Sequence, residues 1–436
     1  MLGLLIAGNM RLLRSIAARV AVCSLLGLSL PAQAGPNFGI YDARTMAMGS
    51  VSAASANNDN AQFYNAALLA FNEEIEERTQ DGRILLPLLV AEFSESALDI
   101  EKISQDGISQ AISGSISGFN AMPNANTAQA VVSATGNLDA YLERLDGEDL
   151  RADVFLGMGL SEPGKFQGAG FFLGVRLLAG GLSTISETDR ALLADYQEGL
   201  LFVASGGDDG QAHPELFDAN GALIDPSNNL ESTASAIGVT ITEVGVAMSK
   251  QFQLFGGPIA AGISFKALDV ETFEDTQRIV DDRISVDQNN EAETHVNFDV
   301  GLIKEIGSNW RIGLAVKDVV PHDYKTSLGT VIRLRPRPRI GASYQTGSFQ
   351  VAMDVDVVES EPLGIEKPTQ EAAVGAEWLI DAPFKLRAGY RHDVLGNRDG
   401  ILSAGVGAQW KRLVVDAAYA QGSDSRSAAL QFGMAF

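Results

Sequence analysis

Leu430-Gln431-Phe432-Gly433-Met434-Ala435-Phe436 closes the chain, with a large apolar residue at every second position and a phenylalanine at the end. A helix would scatter Leu430, Phe432, Met434 and Phe436 around its circumference. A strand sends all four to one face and Gln431, Gly433 and Ala435 to the other. One face suits lipid and the other a polar lumen, the two-sided pattern of an outer-membrane β-barrel.

The alternation recurs upstream. Phe384, Leu386, Ala388 and Tyr390 oppose Lys385, Arg387, Gly389 and Arg391; Leu402, Ala404, Val406, Ala408 and Trp410 oppose Ser403, Gly405, Gly407 and Gln409. Leu413, Val415, Ala417 and Tyr419 stand opposite Val414, Asp416, Ala418 and Ala420. A spanning helix needs roughly 20 nearly uninterrupted apolar residues, but a tilted barrel strand needs only about 9 to 11, half of them apolar. A near-zero mean hydropathy is therefore compatible with a membrane protein.

Working back from Phe436, the pattern predicts strands near 427–436, 412–421, 400–410, 384–393, 369–380, 349–360, 331–345 and 309–319. Further strands are expected near 294–306, 258–271, 236–253, 166–178, 151–161 and 83–92. That makes about fourteen, an even number as in single-chain bacterial barrels. Connections at Ser161 to Lys165, Leu254 to Gly257, Ser308 to Asn309, Thr346-Gly347 and Asp381 to Pro383 are tight and read as periplasmic. Those between them are longer, more acidic and expected outside. Pro87 is at odds with a strand at Arg83 to Glu92, because it removes a ladder hydrogen bond in a sheet without a free edge.

Arg11, Arg14 and Arg19 precede an apolar stretch from Val20 to Leu30, then Pro31 and Ala32-Gln33-Ala34, the pattern of a secretory signal cleaved after Ala34. Cys23 lies inside that segment behind Val22, where lipid-anchor processing wants a small residue, and the mature chain then holds no cysteine. The domain reading is a signal at 1–34, an N-terminal segment at 35–82 and a barrel at 83–436 with insertions at 93–150 and 179–235. The formal net charge of -23 disfavours nucleic acid as a partner.

The two insertions break the strand rhythm. Leu98, Ile103, Ile108, Ile112 and Ile116, then Leu138, Tyr141, Leu142 and Leu145, are spaced for two helical pieces; Ala191, Leu192, Leu193, Tyr196, Leu200 and Leu201 suggest a third. Loops of this length either cap the barrel mouth or present apolar faces to a greasy ligand.

Between the signal and the first strand the chain reads Phe38-Gly39-Ile40-Tyr41-Asp42-Ala43-Arg44-Thr45-Met46-Ala47-Met48-Gly49-Ser50-Val51 and then Ala56-Asn57-Asn58-Asp59-Asn60-Ala61-Gln62-Phe63-Tyr64-Asn65-Ala66-Ala67-Leu68-Leu69-Ala70. This resembles the hatch of FadL-like (OmpP1/FadL/TodX) outer-membrane proteins: an Ala-Arg, small-residue, Met-Gly run, an Asn/Asp cluster, and Asn followed by Ala66 where that family has proline. Length, the helical insertion and an arginine-rich strand are most similar to the conjugal-transfer TraF-like outer-membrane group within that superfamily. The resemblance implies a fourteen-stranded barrel plugged by its N-terminal segment, with hydrophobic molecules captured outside and passed inward. Independently, a Gly- and Ala-rich irregular segment with Asn and Asp must find backbone partners away from lipid, and a polar lumen supplies them; the alternative is a periplasmic tail. Arg44, Gly49, Asn57, Asn58, Asp59 and Asn65 are the candidate gate residues, with Gly39, Gly49 and the Asn57 to Asn60 cluster as hinges and latches.

Val331-Ile332-Arg333-Leu334-Arg335-Pro336-Arg337-Pro338-Arg339-Ile340 places four arginines on one face of one expected strand, pointing into the lumen. They would repel unless paired. A two-residue turn at Thr346-Gly347 would set Arg339 across from Asp354, Arg337 across from Asp356, Tyr344 across from Phe349 and Ile340 across from Met353. The turn at Asp381 to Pro383 would set Glu377 opposite Arg387. The expectation is a lumen zipped by arginine–carboxylate pairs, either bracing the barrel and hatch or guiding a carboxylate ligand. Pro336 and Pro338 are expected to cost ladder bonds and mark a local distortion, which the resemblance implies as a place for a lateral opening.

Chemistry has little support. His213, His295, His322 and His392 are dispersed without metal-ligand spacing. His392 is the one candidate for a lipid-face hydrolase. Glu271, Glu274, Asp275, Asp281, Asp282, Asp287, Glu291 and Glu293 form a solvated run or a cation site bridging lipopolysaccharide. No cofactor and no enzyme activity are expected. The leading expectation is a FadL-like outer-membrane channel taking up hydrophobic small molecules; the alternative is a structural component of a conjugal-transfer or envelope assembly. Expected partners are outer-membrane lipids with lipopolysaccharide, hydrophobic small molecules, and the barrel-assembly machinery through Phe436.

Overall fold

The computed structural model describes residues 33–34, 36–71, 82–99, 107–207, 213–254, 257–280, 291–361, 363, 367–381 and 383–436. The signal reading at 1–34 falls almost wholly outside them. Ahead of the first barrel strand come two short helices, α1 (Ala43–Ala47) and α2 (Ala61–Tyr64), and a 3-10 turn at Ala66–Ala70. The strands are β1 (Arg83–Ser94), β2 (Asp149–Glu162), β3 (Gln167–Thr184), β4 (Thr233–Leu254), β5 (Gly257–Arg278), β6 (Glu291–Ile306), β7 (Trp310–Lys317), β8 (His322–Lys325) and β9 (Val331–Leu334). They continue as β10 (Arg337–Thr346), β11 (Phe349–Asp356), β12 (Glu371–Asp381), β13 (Phe384–Asp393), β14 (Ile401–Trp410), β15 (Leu413–Gln421) and β16 (Ser425–Ala435).

β1 to β7 and β10 to β16 form one closed fourteen-stranded antiparallel barrel. β16 returns to β1 with Leu430 opposite Leu89, so no edge is left open. The dyad pattern is realised: Trp410, Tyr419, Phe432, Met434 and Phe436 are exposed on the outside, while Ser403, Asp416, Ser427 and Gln431 are buried within. An exterior apolar on this scale fits a lipid environment. No helix among the described residues is long and apolar enough to cross a membrane.

Two expectations are corrected by the backbone. β1 does form despite Pro87, because the ladder shifts between Leu85 and Leu88 against β2 and between Gln431 and Gly433 against β16; the bulge takes the proline out of the pairing. The expected strand over 331–345 is two strands. Pro336 lacks an amide hydrogen and biases the residue before it away from continued pairing. Val331–Leu334 folds back on β8 as a separate hairpin, and only Arg337–Thr346 joins the barrel, against β7.

Connections at one end of the barrel are short; those at the other are long. The long-loop end carries α3 (Ile108–Ala121), α4 (Ala125–Leu145) and α5 (Glu187–Ala204). Asn124 and Thr127 make a reciprocal capping box on α4, and the Ser186 side chain caps α5. The apolar stripes are consumed by one another: Ile112, Val131, Leu138, Leu142, Leu193 and Leu200 are fully buried in a shared core. The insertions therefore bury most of these stripes in a cap core of their own, with Leu201 and Phe202 of α5 left exposed.

Candidate functional site: the plugged lumen

From Pro36 to Phe71 every residue is buried except Asn37, Asn57, Asn58 and Asp59, which are half-buried. This hatch holds its own shape. The Asp42 carboxylate caps α1 by accepting from Thr45 N at 2.9 Å and takes the Tyr64 hydroxyl at 2.6 Å, while Tyr64 Oη accepts from Tyr41 N at 2.7 Å. The chain then reverses through Gly49 (φ 70°) and Ser50 (φ 76°). Barrel and hatch backbones touch directly here: a Cβ on Gly389 of β13 would lie 2.1 Å from Gly49 N. Tyr41 and Phe63 pack against Phe155 and Phe172 of the wall, with Tyr41–Phe155 ring centroids 4.9 Å apart and Phe63–Phe172 5.3 Å apart.

A ring of polar side chains grips the hatch nearer the tight-turn end. Arg44, with 0% of its surface exposed, donates to Glu377 at 3.1 Å, Gln350 Oε1 at 2.7 Å and the Ser55 carbonyl at 2.8 Å. Glu377 also pairs with Arg387, its cross-strand neighbour, and Arg387 reaches Asp416. Asp416 accepts from Gln431 at 2.9 Å, and Gln431 Oε1 accepts from Ala43 N at 3.0 Å. The chain of contacts thus leaves the hatch at Arg44, crosses the wall and re-enters one residue away. Asp354 Oδ2 accepts from two successive hatch amides, Ser52 N at 2.7 Å and Ala53 N at 2.8 Å.

A second ring lies toward the long-loop end. Arg339 pairs with Asp356 at 2.6 Å and Glu371 at 3.1 Å, donates to the Ser50 carbonyl at 3.1 Å, and covers the Phe38 ring at 4.4 Å. Arg337 pairs with Asp318 and donates to Asn37 O at 2.6 Å. Arg176 pairs with Asp153 at 2.7 Å and also holds Asn37. Lys266 is buried between Asp318 at 2.7 Å, Asp299 at 2.9 Å and Glu243 at 3.5 Å. Arg391 bridges Glu92 and Glu371. Removing one member of such a buried pair costs about 3–5 kcal/mol, because the other charge is left dry.

The expected pairings are corrected here. Arg339 faces Asp356, not Asp354; Arg337 finds Asp318, not Asp356; Ile340 faces Val355 and Tyr344 faces Val351. Thr346 pairs with Phe349, so the turn is Gly347-Ser348, with Gly347 at φ 49°. This register differs from the expected one by two residues, which keeps every side chain on its expected face. Arg333 and Arg335 do not enter the lumen. They sit on and just after the hairpin, paired with Glu361 and Asp323.

Of the hatch candidates, Asn65 caps the 3-10 turn and donates to Ala53 O at 2.7 Å, tying the two halves of the hatch together. Asn57, Asn58 and Asp59 line a cavity of about 370 Å³ at the tight-turn end, where Asp59 meets Arg83 at 3.3 Å. Sequence reasoning missed Arg176, Lys266 and Asp318, and placed Arg391 inward without its partners. Lys266 occupies an inward dyad position and could have been found by that signal; Asp318 follows the end of a strand and carries none.

At the long-loop mouth the inner wall turns apolar. Leu178, Ile237, Val239, Leu268 and Val270 are buried beneath Tyr324, Ile332 and Leu334 of the β8–β9 hairpin. Glu274 of the acidic run anchors that hairpin's loop by accepting from Thr326 Oγ1 at 2.6 Å and Thr330 Oγ1 at 3.0 Å; Asp281, Asp282 and Asp287 lie outside the described residues. On the cap, Asp195, His213 and Glu215 bring ligand-type atoms within 4.8 Å of one another. His213 is already satisfied there by Glu215 at 2.7 Å, a hydrogen bond that raises its pKa above the ordinary imidazole value. His392 is exposed and stacks on Tyr390, with centroids 6.2 Å apart.

Residues 62–356 match the family described as F plasmid transfer operon, TraF, protein. No curated protein matches the chain. Among solved structures, a Pseudomonas aeruginosa FadL homologue is similar at 11% identity, covering 92% of this chain and 99% of that one, with a TM-score of 0.48. The P. putida toluene transporter TodX is similar at 11% identity over 91% and 97% of the two chains, with a TM-score of 0.43. The family matched is the TraF-like group that the sequence resembles in its length, helical insertion and arginine-rich strand.

Proposed function

The chain belongs to the family of the F plasmid transfer operon TraF protein, and from there we propose that it is a bacterial outer-membrane channel for small hydrophobic molecules, gated by its hatch. The tight turns then face the periplasm and the helical cap faces outward. Lipid and lipopolysaccharide surround the barrel, and terminal Phe436 is the handle for the assembly machinery. The protein conducts and does not catalyse.

One observation carries the hydrophobic reading. Barrel lumens are polar, yet the outer mouth here is lined by Leu178, Ile237, Val239, Leu268 and Val270 beneath a hairpin. An apolar vestibule favours partition of apolar solutes, and the charged rings below it hold the hatch in a definite closed seat. Passage requires the hatch to shift, not unfold. Uptake of labelled fatty acids and small aromatics in cells with and without the protein tests this. Faster uptake of either class supports the reading, and equal rates for both overturn it. The family match favours a second reading, a structural part of a conjugal-transfer assembly. Under it, uptake is equal and the protein co-purifies with envelope secretion proteins.

A further inference from the structure

The β8–β9 hairpin is fastened to the barrel mouth by an unusual contact. His322 of β8 lies parallel on His295 of β6, with ring centroids 4.5 Å apart and planes 11° apart. Tyr324, also on β8, is tilted against both rings, and its hydroxyl is 3.0 Å from His295 Nδ1. His322 Nε2 is 2.8 Å from Glu293. On the other strand of the hairpin, Ile332 and Leu334 pair with Tyr324 and His322, so they share that face and close over the apolar mouth beside the stack. Among the described residues, the other charges near this contact are Arg335, Asp323, Asp318 and Lys266. Arg335 donates to the His322 carbonyl and pairs with Asp323, while Asp318 and Lys266 neutralise one another deeper in the lumen.

The two imidazoles lie in direct face-to-face contact, and the edge of one of them meets the Glu293 carboxylate. Protonating both rings puts two cations face to face, and among the described residues one carboxylate, Glu293, is in contact to offset them. Histidine is the side chain whose charge changes within physiological acidification, and two such groups in contact titrate as a pair. We propose that the His295–His322 stack is an acid-sensitive clasp, and that protonating both rings lifts the β8–β9 hairpin off the outer mouth. The clasp is independent of what the channel carries.

The test places nitroxide labels on the hairpin loop at Leu328→Cys, where the native residue is 62% exposed, and on the rim at Val394→Cys, 49% exposed. Interspin distances are measured in the folded full chain at about pH 8 and about pH 5, bracketing the range in which imidazoles take up protons. One narrow distance at the higher pH, giving way to a longer, broader distribution at the lower, is the expected result. The pH response disappears in H295Q/H322Q and survives in H392Q. An unchanged distribution in the wild type, or the same response in H295Q/H322Q, overturns the proposal. Because the wild-type titration needs no substitution at the clasp, misfolding of the double variant cannot hide the answer.

Discussion

Arg44→Met tests whether the polar ring seats the hatch. The substitution keeps most of the buried bulk and deletes the bonds to Glu377, Gln350 and the Ser55 carbonyl. Glu377 still has Arg387, so the cost falls at the low end of that for breaking a buried ion pair, about 3 kcal/mol. At about 1.4 kcal/mol per factor of ten, that is roughly a 150-fold rise in the population of the unseated hatch. Amide hydrogen exchange reads this population directly. The amides to follow are Ser52 and Ala53, held by Asp354, and Ala43, held by Gln431. They should exchange roughly 150-fold faster, while barrel amides and heat-resistant gel mobility stay as in the wild type. Arg44→Lys should recover only part of the loss, since an ammonium cannot present the guanidinium fork. Unaltered exchange at all three amides would refute the idea that Arg44 anchors the hatch.

Three further outcomes are expected. Asp354→Asn leaves one neutral oxygen where a carboxylate oxygen held two amides, and should raise exchange at Ser52 and Ala53 about tenfold, for a loss of about 1.5 kcal/mol; wild-type rates would mean the carboxylate is incidental. Gly389→Val sets a side chain where the Cβ alone would stand 2.1 Å from Gly49 N, so conductance across planar bilayers should rise with the barrel still folded, and a silent channel would contradict the tight seat. Leu142→Ala in the cap core should cost about 2–5 kcal/mol, lowering protection in α4 and α5 without touching β12 to β16; loss of barrel protection would show that the cap is not a separate core.

A period of two was legible along the barrel strands. It marked the lipid face of Leu413, Val415, Tyr419, Phe432 and Met434, the number of barrel strands, and the inward side of Asp354, Asp356, Glu377 and Arg387. It could not mark register, because a slip of two residues leaves every side chain on the same face. Only the assembled turn, with Gly347 at φ 49°, moved Arg339 from Asp354 to Asp356. Nor could it show where a strand stops being part of the barrel: Arg333 and Arg335 fit the dyad as well as Arg337 and Arg339, but Pro336 sends them outside. The hatch's partners were beyond its reach for a different reason. Arg44 and Glu377 are 333 residues apart in the chain, and no local pattern links them. Alternation, a property of each strand alone, determined the barrel; closure, which brings distant strands around one inserted segment, decided which charges hold the plug.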